Sequence, residues 1–209
     1  MQEQRIPQRI WLASKSPRRQ ELLHQLGIAF DVLTPPSDAL GSEDMVDESI
    51  LPGESPDRYV SRLANKKASY AWRYIVESGL PKRAVLAADT TVAINGQILG
   101  KPANCVEARA MMKRLSGKTH QVWTAITVVW EKLTLSSIKG SDVTFDKLLD
   151  EQIEAYIATD EPYDKAGGYG IQGRAGKFIK NINGSYSSIM GLPLFETDKI
   201  LSSLGIKIK

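Results

Sequence analysis

The order of hydrophobic and polar positions changes period several times along the chain, and each change marks a predicted element. Short apolar runs rich in Val, Ile, Thr and Trp predict strands over residues 9–14, 28–33, 84–88, 97–99, 119–130, 133–145 and 178–182. Apolar positions at three- and four-residue spacing predict helices over residues 17–26, 56–78, 105–116, 150–159 and 194–204. This alternation favours an α/β fold in which a mixed, twisted sheet is flanked by helices.

Turn and cap residues set the boundaries of these elements. The pairs Ser16-Pro17 and Ser55-Pro56 each supply a capping serine and a first-turn proline for a helix. Asn95-Gly96 predicts a hairpin turn, and the two longest predicted strands are expected to pair antiparallel. Residues 161–176, which are rich in glycine, are expected to form a loop.

The composition describes an ordinary globular protein. Of the 209 residues, 42% are hydrophobic and 24% are charged, which excludes disorder. The 27 Lys and Arg against 24 Asp and Glu leave a net charge of +3, too small for a nucleic-acid coat or a polybasic membrane anchor. A single cysteine and the lack of a bilayer-length apolar run favour the cytoplasm. No linker divides the chain, so residues 1–209 are expected to form one domain with residues 1–8 as a flexible lead.

Cationic side chains occur in the first turn of a predicted helix, where acidic side chains are more favourable. Ser14 ends the first strand, and Arg18 and Arg19 follow in the first turn of the next helix, where cations oppose the macrodipole. A bound anion such as phosphate would explain this arrangement, and a solvated basic end is the alternative. Lys67 falls on the apolar stripe of its helix, and Lys101 follows the predicted hairpin. Taken singly, each lysine is better explained as a surface residue than as a ligand-binding one.

Acidic side chains provide the second group of candidates. The apolar run over residues 84–88 is expected to stop at Asp89, which would emerge at the carboxyl end of a buried strand. A metal ligand or general base fits that position, and so does a turn-forming aspartate. The long loop over residues 34–55 adds carboxylates that either hold a hard cation with Asp89 or are simply solvated. They are Glu43, Asp44, Asp47 and Glu48.

Two other sequence patterns are weaker evidence for a function. Gly168 to Gly173 spells G-x-G-x-x-G, but no predicted strand precedes it and no helix follows, so a dinucleotide fingerprint is not supported. His24 and His120 have no neighbouring nucleophile arrangement and are interpreted as structural.

Several motifs, in their order along the chain, resemble those of one family. They are LASKSPRRQELL at residues 12–23, ADT at 88–90, GKP at 100–102 and DKAG at 164–167. Together they make the chain similar to the Maf family of nucleoside triphosphate pyrophosphatases. The resemblance implies a two-lobed α/β fold related to inosine triphosphate pyrophosphatases, with the site in the cleft between the lobes.

The resemblance also implies a reaction and roles for residues. Members hydrolyse nucleoside triphosphates to monophosphate and pyrophosphate with a divalent cation, Mg²⁺ or Mn²⁺ being expected here, in a house-cleaning or nucleotide-pool role, and a homodimer is a family expectation. Asp89 would be the catalytic proton acceptor, and Glu48 and Asp89 would hold the metal. Substrate binding would involve Ser14, Arg18, Arg19, Lys67 and Lys101. Arg18, Thr90 and Gln172 match the branch that acts on dTTP and UTP. The acidic loop is longer than is usual in the family, which leaves open which other carboxylates reach the metal.

Another class of function stays open at this point. A non-catalytic protein that binds nucleotides or nucleic acid, linked to cell division, would use the same cations to hold a phosphate backbone. The acidic loop argues against it, so the partner predicted from the sequence is a small nucleoside triphosphate, with no nucleic acid and no membrane.

Overall fold

The structure is a computed structural model that describes residues 7–36 and 46–207. Seven strands form one mixed sheet: β1 (Arg9–Leu12), β2 (Ala29–Val32), β3 (Val85–Ile94), β4 (Gln97–Leu99), β5 (Thr119–Trp130), β6 (Leu133–Phe145) and β7 (Ile179–Asn183). Their order is β2-β1-β3-β5-β6-β7, with β4 paired to β3. Strands β1, β2 and the start of β3 run parallel, and the remaining pairs are antiparallel. The predicted mixed α/β fold is therefore confirmed.

In the described part of the chain, six α-helices accompany the sheet. They are α1 (Pro17–Gln25), α2 (Pro56–Glu77), α3 (Cys105–Leu115), α4 (Asp150–Ile157), α5 (Tyr186–Met190) and α6 (Leu194–Ser203). The prolines begin α1 and α2 as predicted, but neither Ser16 nor Ser55 makes a side-chain capping bond, so that detail of the prediction was wrong. None of the helices in the described ranges has the length and apolar character to cross a bilayer.

Helix α2 lies across the sheet because of its apolar stripe. Val60, Leu63, Ala68 and Ile75 are fully buried, and the helix packs on β3 and β5. Burying a Val, Leu or Ile side chain contributes about 1.5–3 kcal/mol, so this stripe fixes the helix firmly. Lys67 belongs to the same helix and therefore arrives at the sheet rather than in solvent.

Strand β3 is longer than predicted. It does not stop at Asp89 but continues to Ile94, because the β-branched and apolar residues after Asp89 pair with β5 along its length. Its parallel neighbour β1 ends at Leu12, so within β3 it pairs with Val85 and Leu86 only. Asp89 thus lies in the middle of a strand, just beyond the point where the parallel part of the sheet ends.

Two main hydrophobic clusters divide the core. One contains Ile10, Leu12, Leu23 and Leu201 around β1, α1 and α6. The other contains residues such as Met112 and Phe178 on α3 and in the segment before β7. Strands β3 and β5 contribute to both clusters. The structure therefore has two lobes that share the long strands, as expected, and a cleft opens between them.

Candidate active site

The cleft has a volume of about 820 Å³ and is built from segments far apart in the sequence. The turn after β1, the first turn of α1, the middle of β3 and the segments 48–50, 164–171 and 189–191 all line it. Its size is that of a typical small-molecule site. The predicted residues in its lining are Ser14, Arg18, Arg19, Glu48, Lys67, Asp89, Thr90 and Lys101.

Arg19 is held on the wall of the cleft by three hydrogen bonds. Its guanidinium donates to the carbonyl of Gly191 at 2.9 Å, to Ser14 Oγ at 3.1 Å and to Thr90 Oγ1 at 3.4 Å. Burial lowers the pKa of Arg19, while the carboxylates of Asp89 and Glu48 oppose that shift. A guanidinium stays charged in proteins even so. The cleft thus carries a fixed positive group whose hydrogen-bond partners in the described residues are all neutral.

Arg18 is the neighbouring cation and has a different environment. Among the described residues no hydrogen bond or ion pair involves its side chain, although a Cβ on Gly170 would come within 3.7 Å of its Nη1. Its guanidinium is therefore available for an incoming anion, close to the glycine-rich segment of the opposite lobe.

The acidic predictions converge on one cation. Lys67 Nζ donates to Asp89 Oδ1 at 2.6 Å and also pairs with Glu48 Oε1. Burial disfavours the charged form of Lys67, but the two carboxylates outweigh it and raise its pKa. For Asp89, burial is the largest cause and raises its pKa, against the opposing effect of Lys67. A carboxylate whose pKa is raised towards neutrality is a better general base.

The loop that carries Glu48 is fixed by side chains that the sequence reasoning did not single out. Tyr59 on α2 donates its hydroxyl to the carbonyl of Glu48 at 3.0 Å. Arg62, one turn further, donates to the carbonyl of Ser49 at 2.9 Å and binds Glu54 through two bonds of 2.6 and 2.7 Å. Bidentate pairs of this kind are the strongest of the charge-assisted hydrogen bonds. Helix α2 therefore holds the Glu48 loop beside the cleft through a partly buried clamp made of Tyr59, Arg62 and Glu54.

The remaining predicted residues lie at different depths. Thr90 follows Asp89 on β3 and is half-buried, and Lys101 is exposed at the rim. Gln172 is exposed and does not line the cleft; its amide lies 3.5 Å from the carboxylate of Glu21. Glu43 and Asp44 lie outside the described residues. Asp47 is exposed and accepts bonds from the backbone and hydroxyl of Ser49 instead of facing the cleft.

An apolar wall and a buried aromatic cluster complete the site. Val92, Val122 and Ile171 line the cleft beside Tyr169. The hydroxyl of Tyr169 lies 2.6 Å from His120 Nε2, inside a group of edge-packed rings. Burial lowers the pKa of His120 to about 4, so it is neutral at pH 7 and structural, as interpreted from the sequence. Cations, paired carboxylates and an apolar wall suit a ligand with a polyanionic end and a flat apolar end.

The family model and the curated relatives agree on one family. A family model described as "Maf-like protein" matches residues 9–204. A protein of Aromatoleum aromaticum named dTTP/UTP pyrophosphatase is 50% identical over 200 residues, which cover 96% of this chain and 97% of that protein. A protein of Ralstonia nicotianae with the same name is 49% identical over 201 residues, covering 95% of both. Among solved structures, the Ham1 protein of Staphylococcus aureus matches 66% of this chain and 71% of its own at 14% identity, with a TM-score of 0.44.

Proposed function

The chain belongs to the Maf family, and we propose on that premise that it is a dTTP/UTP pyrophosphatase. The family resemblance of its motifs is confirmed by the family model and by relatives that share about 50% of their residues with this chain. The observation that carries the proposal is the meeting of Lys67, Asp89 and Glu48 in the same cleft as Arg18 and Arg19.

The reaction divides a triphosphate between its α- and β-phosphorus atoms. The oxygen of a water molecule bonds to the α-phosphorus, the bond from that phosphorus to the bridging oxygen breaks, and pyrophosphate leaves. Asp89 accepts the proton of the attacking water, because its buried carboxylate has a raised pKa. Arg18 and Arg19 bind phosphate oxygens, and their charges stabilise the negative charge that builds on the leaving group.

Two carboxylates suit a divalent cation shared with the substrate. Glu48 and Asp89 already pair with one common positive atom, Lys67 Nζ, so their oxygens converge on a place that favours a cation. Within the described ranges no cluster of three metal-binding side chains occurs, which fits a cation such as Mg²⁺ or Mn²⁺ that takes its other ligands from phosphate and water. When bound, that ion would neutralise the triphosphate and polarise its phosphoryl oxygens. Lys67 and Lys101 would bind phosphate oxygens beside it.

The residues of the cleft that surround the nucleobase would determine which substrate is selected. Thr90 lies next to Asp89 on β3, and Ser14 orients Arg19 through its hydroxyl. Gln172 follows the cleft residue Ile171 in the chain, and the family resemblance assigns its exposed amide to recognition of the nucleobase. Such residues would favour thymine and uracil over other bases.

The cellular setting follows from the activity. We propose that the enzyme works in the cytoplasm, where it removes unwanted triphosphates from the nucleotide pool, and that it acts as a homodimer. The single cysteine is consistent with a reducing compartment. Light scattering on the purified chain would separate a dimer of about twice 23.1 kDa from a monomer.

Pyrophosphate release from a panel of triphosphates, with Mg²⁺, with Mn²⁺ or with EDTA, tests the proposal. The wild type should release pyrophosphate from dTTP and UTP and lose this activity in EDTA. Asp89→Asn should reduce turnover by about 10²- to 10⁴-fold, the usual contribution of a general base. Asp31→Asn is the matched control, since Asp31 also lies on a strand and pairs with cations, Arg9 and Arg83, but away from the cleft.

Two results would contradict the proposal. Wild-type turnover by a folded Asp89→Asn variant would remove Asp89 from the reaction. Steeply salt-dependent binding of DNA or RNA with no pyrophosphate released from any nucleotide would instead favour the non-catalytic alternative.

A further inference from the structure

A buried threonine lies directly behind the wall of the cleft. Thr124 is at the middle of β5, opposite Thr90 of β3 in the antiparallel register, and is fully buried. Its Oγ1 lies 2.9 Å from Thr90 Oγ1 and 2.7 Å from the carbonyl oxygen of Ser188. No feature of the sequence had marked Thr124, because its hydroxyl is one of many on an apolar strand.

The directions of these hydrogen bonds can be worked out. A hydroxyl has one proton and can accept two bonds, whereas a carbonyl oxygen can only accept. Thr124 must therefore donate its proton to Ser188, and Thr90 must donate its own proton to Thr124. Arg19 donates to Thr90 at 3.4 Å, which uses one of the lone pairs of that hydroxyl. The four residues form a one-way relay from Arg19 to Ser188.

The relay determines what Thr90 offers to a ligand. Its proton is committed to Thr124, so towards the cleft the hydroxyl can act only as an acceptor. An ionised phosphate has acceptors but no donor, and it would gain nothing at this point. A ligand group that pairs with Thr90 must carry an N–H or an O–H.

We propose that Thr124 is a positioning residue for substrate selection: it fixes Thr90 as a hydrogen-bond acceptor, which selects a substrate that presents a donor there. This inference rests on the proposed function and deepens it. Uracil and thymine carry a ring N–H at the position where cytosine has a bare nitrogen, and the sugar carries a 3′-hydroxyl. Either donor satisfies the relay, and the experiment below distinguishes them.

Thr124→Val keeps the shape of the side chain and removes its hydroxyl. The proton of Thr90 is then released and can turn to the cleft, so ligands with an acceptor at that point are no longer rejected. We measure kcat/KM for UTP, CTP and 3′-deoxy-UTP. The wild type should prefer UTP over the analogue that lacks the relevant donor, and Thr124→Val should reduce that preference roughly fivefold, the worth of one hydrogen bond.

Rescue and control variants separate positioning from a structural effect. Thr124→Ser keeps the hydroxyl and should restore the preference. Thr127→Val is the matched control, because Thr127 is also fully buried on β5 but pairs with Ser136 at 3.0 Å, outside the cleft. Its preference should equal that of the wild type. Thr124→Ala removes the same hydroxyl and replaces Thr124→Val in the assay if the valine variant does not fold.

A double-mutant cycle with Thr90→Val completes the test. If Thr124 acts through Thr90, the two substitutions will not add in their effect on the preference. An equal loss of kcat/KM for all three nucleotides, or additive effects in the cycle, would overturn the inference while the proposed function stands. Absence of any turnover by the wild type would overturn both.

Discussion

The buried His120 makes a quantitative prediction about acid stability. Its ring is 2% exposed, Nε2 pairs with the hydroxyl of Tyr169, and Nδ1 is buried without a hydrogen-bond partner among the described residues. A proton added to this imidazole would leave a charged N–H with nothing to receive it. Burial accordingly lowers the pKa from the ordinary 6.5 to about 4.

The direction and size of the effect follow from proton linkage. Well above pH 6.5 the imidazole is neutral in both the folded and the unfolded chain, so its titration does not reduce the free energy of unfolding. As the pH falls below 6.5, the unfolded chain takes up a proton that the folded chain refuses, and the free energy of unfolding decreases. A difference of about 2.5 units at 1.36 kcal/mol each predicts a loss of about 3 kcal/mol, complete near pH 4.

Urea unfolding at 25 °C between pH 7.5 and pH 4 would measure this loss. Carboxylates titrate in the same interval, so the quantity to compare is the difference between the wild type and His120→Gln, whose amide can still pair with Tyr169 but does not titrate. The wild type should lose about 3 kcal/mol more than the variant. His24→Gln is the control, because His24 is exposed on α1 and lies outside the aromatic cluster around Tyr169.

Parallel pH curves for the wild type and His120→Gln would refute this reasoning. Such a result would mean that the imidazolium finds a partner or water inside the aromatic cluster, so that Nδ1 is not isolated in solution.

Two more predictions test the clamp and the glycine-rich segment. Glu54→Gln should weaken the pair that fixes the Glu48 loop and lower kcat/KM for UTP by about tenfold, with little change in melting temperature; unchanged kcat/KM would show that Glu48 is held without it. Gly167→Ala should lower stability by more than Gly79→Ala in urea unfolding, because both glycines have positive φ but only at Gly167 would a Cβ meet another side chain, Val92, at 2.8 Å. Equal losses would contradict that assignment of the clash.

Much of the fold could be predicted because the long helices and strands show a clear period of hydrophobic positions. The bounds of β5 and β6 agree with the pattern, since both strands are long and carry β-branched or apolar residues along their whole length. One short helix was not found this way, although the short strand β4 was predicted with its observed bounds. Helix α5 has only five residues, three of them polar or aromatic at its start, and depends on the cap from Ser185 and the left-handed Gly191 that ends it.

The candidate site was predictable in its charges and not in its geometry. The placement of Lys67 on an apolar stripe indicated that its ammonium must reach either solvent or a partner, and the structure shows that it meets Asp89 and Glu48. The partners of Glu48 and Thr90 were hidden, since they depend on which α2 turn faces the loop and on the register of β3 against β5. Gln172, assigned by resemblance alone, is the residue whose role the geometry supports least directly.

The long strands shared by both lobes limit how this enzyme can open and close. Hinged proteins separate their halves at a few residues that absorb a backbone rotation. Here β3 and β5 run continuously from one lobe to the other, so a rotation between the lobes would break the hydrogen bonds of both strands together. Entry and release of ligand must therefore depend on the surface segments around the mouth of the cleft, while the strands and helix that hold Asp89 and Lys67 stay rigid.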